Sequence, residues 1–234
     1  MGTKIRTAVI ATLVWAGACA FSPATASAVP KLDVKVFLGV GSTTFVPRLP
    51  TIVLEDGSEV GGRERSSFVS WQGGLSARVR SKKVFGEIGL VFSRFQFEVT
   101  EAIADTAERE GRPFEIDIVG RNAQMNSLDI PITAGYVPYA NPLFKLFLYG
   151  GWVNKFNIRG FVDTANTRRG LKFKPKDIPG FPLVIYQAGM RLGVQFDIGP
   201  VNVDFNYTIG LNSISKTEFR TNSHVTQLNL GWLF

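Results

Sequence analysis

The chain has one cysteine and one histidine in 234 residues, and after residue 28 it contains no long apolar run. Each scarcity removes a class of protein. A zinc site of the usual Cys/His kind needs more ligands than Cys19 and His224 supply. Gly39-Val40-Gly41 lies in a strand-like segment and lacks the third glycine and the helix of a dinucleotide fingerprint. No phosphate-binding Walker loop is present, so no cofactor is expected. A spanning helix needs about 18 or more apolar residues, and none follows residue 28, which excludes a helical membrane protein.

What is there begins with an export signal. Lys4 and Arg6 give a positive start, Ala8 to Ala18 form a short apolar stretch, and Ala26-Ser27-Ala28 is a small-residue cleavage site. Residues 1–28 are expected to be a signal peptide and 29–234 a single mature domain. Cys19 lies inside the signal. A lipoprotein would be cut just before it, but Ala16-Gly17-Ala18 lacks the usual leucine. Cleavage after Ala28 leaves no cysteine and therefore no disulfide. The formal charge of +7 falls to +5 in the mature chain, because residues 1–28 hold Lys4 and Arg6 and no acid. An exported protein rarely meets nucleic acid. The basic balance points instead to outer-membrane lipid and lipopolysaccharide phosphate as partners.

The later half alternates with period two. Val201, Val203, Phe205, Tyr207, Ile209 and Leu211 alternate with Asn202, Asp204, Asn206, Thr208, Gly210 and Asn212. Tyr186 to Ile198 and Thr226 to Phe234 repeat the pattern. Successive strand side chains point to opposite faces, so one face is apolar and the other polar or glycine. Strands in soluble sandwiches usually run about 5–6 residues. These runs reach the length that crosses a bilayer at a tilt, roughly 9–11 residues. Their polar face carries Arg, Asp and Gln beside glycines, as a narrow barrel interior does. On this facing, Leu192→Arg should cost more than Gln195→Arg.

Eight strands are predicted, at about 32–44, 67–80, 84–98, 127–138, 144–156, 184–198, 201–212 and 223–234. Short connections at 81–83, 139–143 and 199–200 alternate with long ones at 45–66, 99–126, 157–183 and 213–222. That alternation suits a barrel with both ends in the periplasm, short turns inside and long loops outside. The expected fold is all-β: an eight-stranded antiparallel transmembrane up-and-down barrel. A ten-strand layout that uses Phe114 to Val119 is the alternative. The third strand is expected to change face near Arg94 and Phe95, by a bulge or by leaving the membrane. The fifth, Phe144 to Phe156, is apolar on both faces.

Several segments resemble the PorT-like family of outer-membrane β-barrel domains. They are Leu128-Asp129-Ile130-Pro131-Ile132, Leu148-Tyr149-Gly150-Gly151-Trp152 and Gln187 to Gly193, with Tyr207 to Ile214 and Leu228 to Phe234 completing the set. The resemblance covers residues 127 to the end and concerns barrel construction. It implies fold and location and no assigned chemistry. Similar small barrels serve as adhesins, envelope stabilisers or accessory parts of secretion systems, so a secretion-system or surface-protein partner is one implied possibility.

Four groups of candidate functional residues follow. The lumen face offers Lys35, Arg78, Glu87, Asp129, Arg191 and Asp204, three bases and three acids. An eight-strand interior is only wide enough for side chains, and buried charges must pair, so an ion-pair network is expected. Leu230, Trp232 and Phe234 look like the C-terminal signal read by the barrel assembly machinery, an edge strand recognised by its backbone and alternate side chains. Arg168, Arg169, Lys172, Lys174 and Lys176 form a basic loop suited to lipopolysaccharide or an acidic partner. Tyr136, Tyr139, Phe144, Trp232 and Phe234 at one end, and Phe45, Phe95 and Phe97 at the other, are expected to form interfacial girdles.

The chain is expected not to be an enzyme. The enzymatic alternative is a lipid A-modifying hydrolase using His224. Some eight-stranded outer-membrane barrels deacylate lipid A with His, Ser and Glu, and His224 starts the last strand. The residue two after it is Thr226, not serine, and no acid is evident to orient the ring.

Overall fold

The computed structural model describes residues 30–53, 59–63, 66–98, 122–162, 171–174, 183–214 and 221–234. Among these there are ten strands and no helix. They are β1 (Lys31–Val53), β2 (Glu59–Arg63), β3 (Ser66–Ser81), β4 (Val84–Glu98) and β5 (Asn122–Ala140). β6 (Phe144–Val162), β7 (Leu171–Phe173), β8 (Tyr186–Ile198), β9 (Val201–Gly210) and β10 (Thr221–Leu233) follow. The expected signal peptide and the segment 114–119 lie outside the described residues.

Every neighbour in the main sheet is antiparallel and the order β1-β3-β4-β5-β6-β8-β9-β10 follows the chain. β10 then returns to β1, from Lys35 opposite Leu233 to Pro47 opposite Thr221. The result is a closed eight-stranded up-and-down barrel, with no open edge in the ring. The two remaining strands do not enter it. β2 pairs with the far end of β1, and β7 with the far end of β6, so both extend hairpins beyond one rim. Ten strands therefore form, but eight close the barrel.

Tight connections follow β3 at 82–83 and β8 at 199–200. Gly199 takes a left-handed backbone (φ 59), which glycine adopts without steric cost. Between β5 and β6, Asn141 Oδ1 accepts from the backbone N–H groups of Leu143 and Phe144 at 2.9 and 2.6 Å and so closes the turn.

The faces separate as the period-two pattern requires. On β9, Asn202, Asp204, Asn206 and Thr208 are buried while Phe205 and Tyr207 are exposed. On β1, Leu32, Val34, Val36, Leu38 and Val40 are exposed, and Asp33, Lys35 and Phe37 are buried between them. The expected change of face on β4 does not occur. Phe85, Val91, Ser93 and Phe95 are buried, Ile88, Leu90 and Phe92 exposed, with unbroken pairing to β3. Phe95 read as a face change because the inward row itself turns apolar there. β6 is explained in the same way: its inward residues Phe147, Tyr149 and Val153 are apolar or aromatic and buried, opposite exposed Leu148 and Trp152.

Candidate functional site: the filled interior and the rims

The interior is built in layers. Nearest the short turns, Phe85, Val137, Phe147 and Tyr149 form a buried apolar cluster, with Phe85 and Phe147 edge to face at 5.1 Å. Tyr149 fits because its strand partners on both sides, Gly135 and Gly193, carry no side chain. A Cβ on Gly193 would collide with the Tyr149 ring and its hydroxyl oxygen.

Above this layer sits a charged one. Arg78 is 1% exposed. Its Nε donates to Glu87 at 3.0 Å, Nη1 to Asp197 at 2.7 Å and Nη2 to Gln195 at 2.5 Å. Lys35 lies 3.0 Å from the other Glu87 oxygen. The guanidinium rests on Phe147, 4.3 Å from the ring centre. Arg78 and Glu87 are direct partners on β3 and β4, whereas Asp197 comes from β8 across the barrel. The cluster therefore ties opposite walls together. Asp204 forms a second node, accepting from Tyr149 Oη at 2.7 Å, Asn229 Nδ2 at 2.8 Å and Asn206 Nδ2 at 3.0 Å. Asp129 forms a third, accepting from Ser93 at 2.9 Å with Lys155 at 3.7 Å. Arg191 Nε donates to Thr208 Oγ1 at 3.0 Å.

The six lumen residues named from sequence are thus all inside, but they are not one network. Lys35, Arg78 and Glu87 meet directly; Arg191 and Asp204 share a small cavity with Lys35 and Glu87 without an ion pair to them, and Asp129 sits apart. Sequence reasoning left out Asp197 and Lys155. Asp197 was within reach, since it continues the polar row of Arg191 and Gln195. Lys155 was hidden by the apolar inward row of β6.

Toward the long connections the interior turns apolar again. Phe45 and Phe95 are buried 5.7 Å apart, Val91 and Met125 are fully buried, and the Lys155 ammonium lies 5.0 Å from the Phe95 ring centre. Phe45 and Phe95 are therefore interior packing and not an interfacial girdle, because odd residues of β1 and β4 point inward. The side chain of Phe97 lies outside the described residues. At the opposite rim Tyr136, Tyr139, Trp232 and Phe234 are exposed. Between the layers one cavity of about 20 Å³ is lined by Lys35, Ser76, Glu87, Tyr149, Arg191 and Asp204 among others. It has room for about one water.

The remaining candidates lie at the rims. Leu230 and Trp232 are exposed on the outer face of β10, Phe234 is exposed just past its end, and the Phe234 N–H donates to Val34 O at 2.9 Å. Of the basic loop, Lys174 is described and exposed, and Lys172 pairs by backbone with Phe161. Arg168, Arg169 and Lys176 lie outside the described residues. His224 faces outward, its ring stacked at 5.9 Å on Tyr207 and its Nδ1 2.8 Å from the Tyr207 hydroxyl. The group that orients the imidazole is thus a phenol.

No family model matches the chain, and no curated protein does. The PorT-like resemblance accordingly has no family match behind it. Solved structures do resemble it. Neisserial surface protein A has 13% identity and a TM-score of 0.47, covering 88% of this chain and 100% of its own. The outer membrane enzyme PagL has 11% identity and a TM-score of 0.46, covering 85% and 98%. Ail, the attachment invasion locus protein of Yersinia pestis, has 11% identity and a TM-score of 0.38, covering 86% and 99%. At these values the barrel assignment stands on the chain's own closed strand pairing.

Proposed function

We propose that this chain is a non-enzymatic outer-membrane β-barrel protein with a plugged interior, which presents its long connections for binding or supports envelope structure. One observation carries the reading: the polarity of the barrel is inverted relative to a soluble protein. Large apolar side chains are exposed on all eight ring strands, among them Leu38, Val69, Leu90, Ile132, Leu148, Leu192, Phe205 and Leu230. Arg78, Glu87, Asp129 and Asp197 are held inside. Soluble monomers rarely expose contiguous apolar patches beyond a few hundred Å². In hydrocarbon the same surface is favourable, and ring closure satisfies the backbone without water.

The plugged interior supports a role at the rims over passage of solutes. An apolar cluster lies toward the short turns, apolar side chains mixed with buried Thr43, Ser70 and Asn157 lie toward the long connections, and ion pairs lie between them. On this reading the exposed Leu230, Trp232 and Phe234 serve recognition by the assembly machinery. Lys174 and its basic neighbours face lipopolysaccharide or a partner.

Cell fractionation with a heat-modifiability gel tests the reading. The protein should be found with outer membranes and migrate differently before and after boiling; a soluble chain with one mobility would refute it. Co-purification in detergent refines it, since a stable stoichiometric partner would make the chain an accessory component of a secretion or surface-assembly system. Lipid A mass spectra should be unchanged by His224→Ala; a lost modification would make it a lipid A hydrolase.

A further inference from the structure

The apolar exterior has a break on three adjacent strands. Outward residues of β4 run Val84, Ile88, Leu90 and Phe92, then Arg94. Arg94 pairs with Asn126 of β5, and Asn126 with Arg159 of β6, so the three form one row across the outer face. Arg159 reaches that row through a bulge. The β5–β6 register shifts between Asn126 and Ser127, leaving Asn157 buried and both Ile158 and Arg159 exposed. Without the extra residue, parity would send Arg159 inward with Asn157.

Arg94 is held in place. Its Nε donates to Asn126 Oδ1 at 2.8 Å, and its guanidinium carbon lies 5.4 Å from the Trp71 ring centre and 5.8 Å from that of Phe161. Among the side chains that the structure describes, no carboxylate forms an ion pair with either arginine. Strands stand about 4.8 Å apart, which puts the two arginine backbones roughly 10 Å from each other. Two long guanidinium side chains at that separation reach one anion between them.

We infer that Arg94 and Arg159 form a binding site for the phosphate of a membrane lipid. Guanidinium groups grip phosphate oxygens in pairs, and the bond is charge-assisted. The source is a lipid and not a free ion, because the site opens onto an apolar wall: Trp71 and Phe92, both exposed and 5.7 Å apart, lie beside Arg94 on the same face. Outward arginine is tolerated near the membrane interface and disfavoured at mid-depth, and Arg94 stands where the apolar run of β4 ends. The site rests on the reading that the barrel spans a membrane.

The test uses the folded barrel in neutral detergent, with lipid A, dephosphorylated lipid A and inorganic phosphate as probes, read by native mass spectrometry. Wild type should retain phosphorylated lipid A. Arg94→Gln/Arg159→Gln, and wild type with the dephosphorylated lipid, should each bind about tenfold or more weakly. Equimolar inorganic phosphate should not displace the lipid. Equal retention by wild type and the double variant would overturn the site, as would equal binding of the dephosphorylated lipid or displacement by phosphate. Boiled and unboiled gel mobility certifies that each variant is folded. Should the Gln pair fail that check, Arg94→Lys/Arg159→Lys, which keeps charge and loses the fork, must also weaken retention. Liposome insertion separates the two levels: a barrel that inserts but ignores phosphorylated lipid loses only the site, and one that never inserts loses both.

Discussion

Arg78 shows what a buried charge requires in this interior. It touches Glu87, Asp197 and Gln195 with all three kinds of guanidinium nitrogen and lies flat on Phe147. Arg78→Met removes the cation, leaving buried Asp197 without its arginine and Glu87 with Lys35 alone. The expected loss is about 3–5 kcal/mol in a urea titration of the bilayer-embedded protein. Adding Asp197→Asn should restore part of that loss, since the buried carboxylate that has lost Arg78 then carries no charge, while Glu87 keeps its ion pair with Lys35. The Tyr149 niche is equally specific. Gly193→Ala should cost about 1–3 kcal/mol through overpacking. In Tyr149→Leu the same substitution should cost much less, giving a measurable coupling. Glycine in a polar row was visible in the sequence; that it vacates space for a tyrosine on the next strand was not, because only the register reveals which residue stands opposite.

At the scale of the element, β8 and β9 were legible because both faces keep their character throughout: Arg191, Gln195 and Asp197 in, Met190, Leu192 and Ile198 out. β4 and β6 were harder. Their inward residues at the two plugging layers are aromatic or aliphatic, so parity loses its polar marker there. The bulge on β6 was not legible at all, since one extra residue leaves no compositional trace. Depth can be tested on these strands. Leu192→Arg, on the outer face of β8 and well within the apolar band, should cost about 2–4 kcal/mol in a bilayer. Val84→Arg, exposed at the first residue of β4 beside the short turn, should cost about 0–1 kcal/mol. Equal losses would remove the assigned band. The milder effect expected of Gln195→Arg does not survive the structure. Gln195 accepts a hydrogen bond from Arg78, so the change sets a second cation against the first in a packed interior.

As a whole molecule the barrel closes by joining β10 to β1, and along the described strands buried side chains occupy its interior around one small cavity. Planar-bilayer recordings should therefore show no steady conductance; stable single-channel steps in wild type would contradict the plugged lumen. The closed fold was legible because alternating long and short connections and an even strand count leave few other arrangements. What the rims do was not legible, because long connections carry no strand periodicity to constrain them. The central claim is that the apolar outer face meets hydrocarbon and the polar face does not. Single cysteines at positions 202 to 207 of β9, in residues 29–234 expressed without Cys19 and refolded into bilayers, test it with a lipid-phase paramagnetic quencher. Labels at Val203, Phe205 and Tyr207 should be quenched while labels at Asn202, Asp204 and Asn206 stay shielded. Quenching that ignores this alternation, or outer labels reached only by a water-phase quencher, would contradict the account.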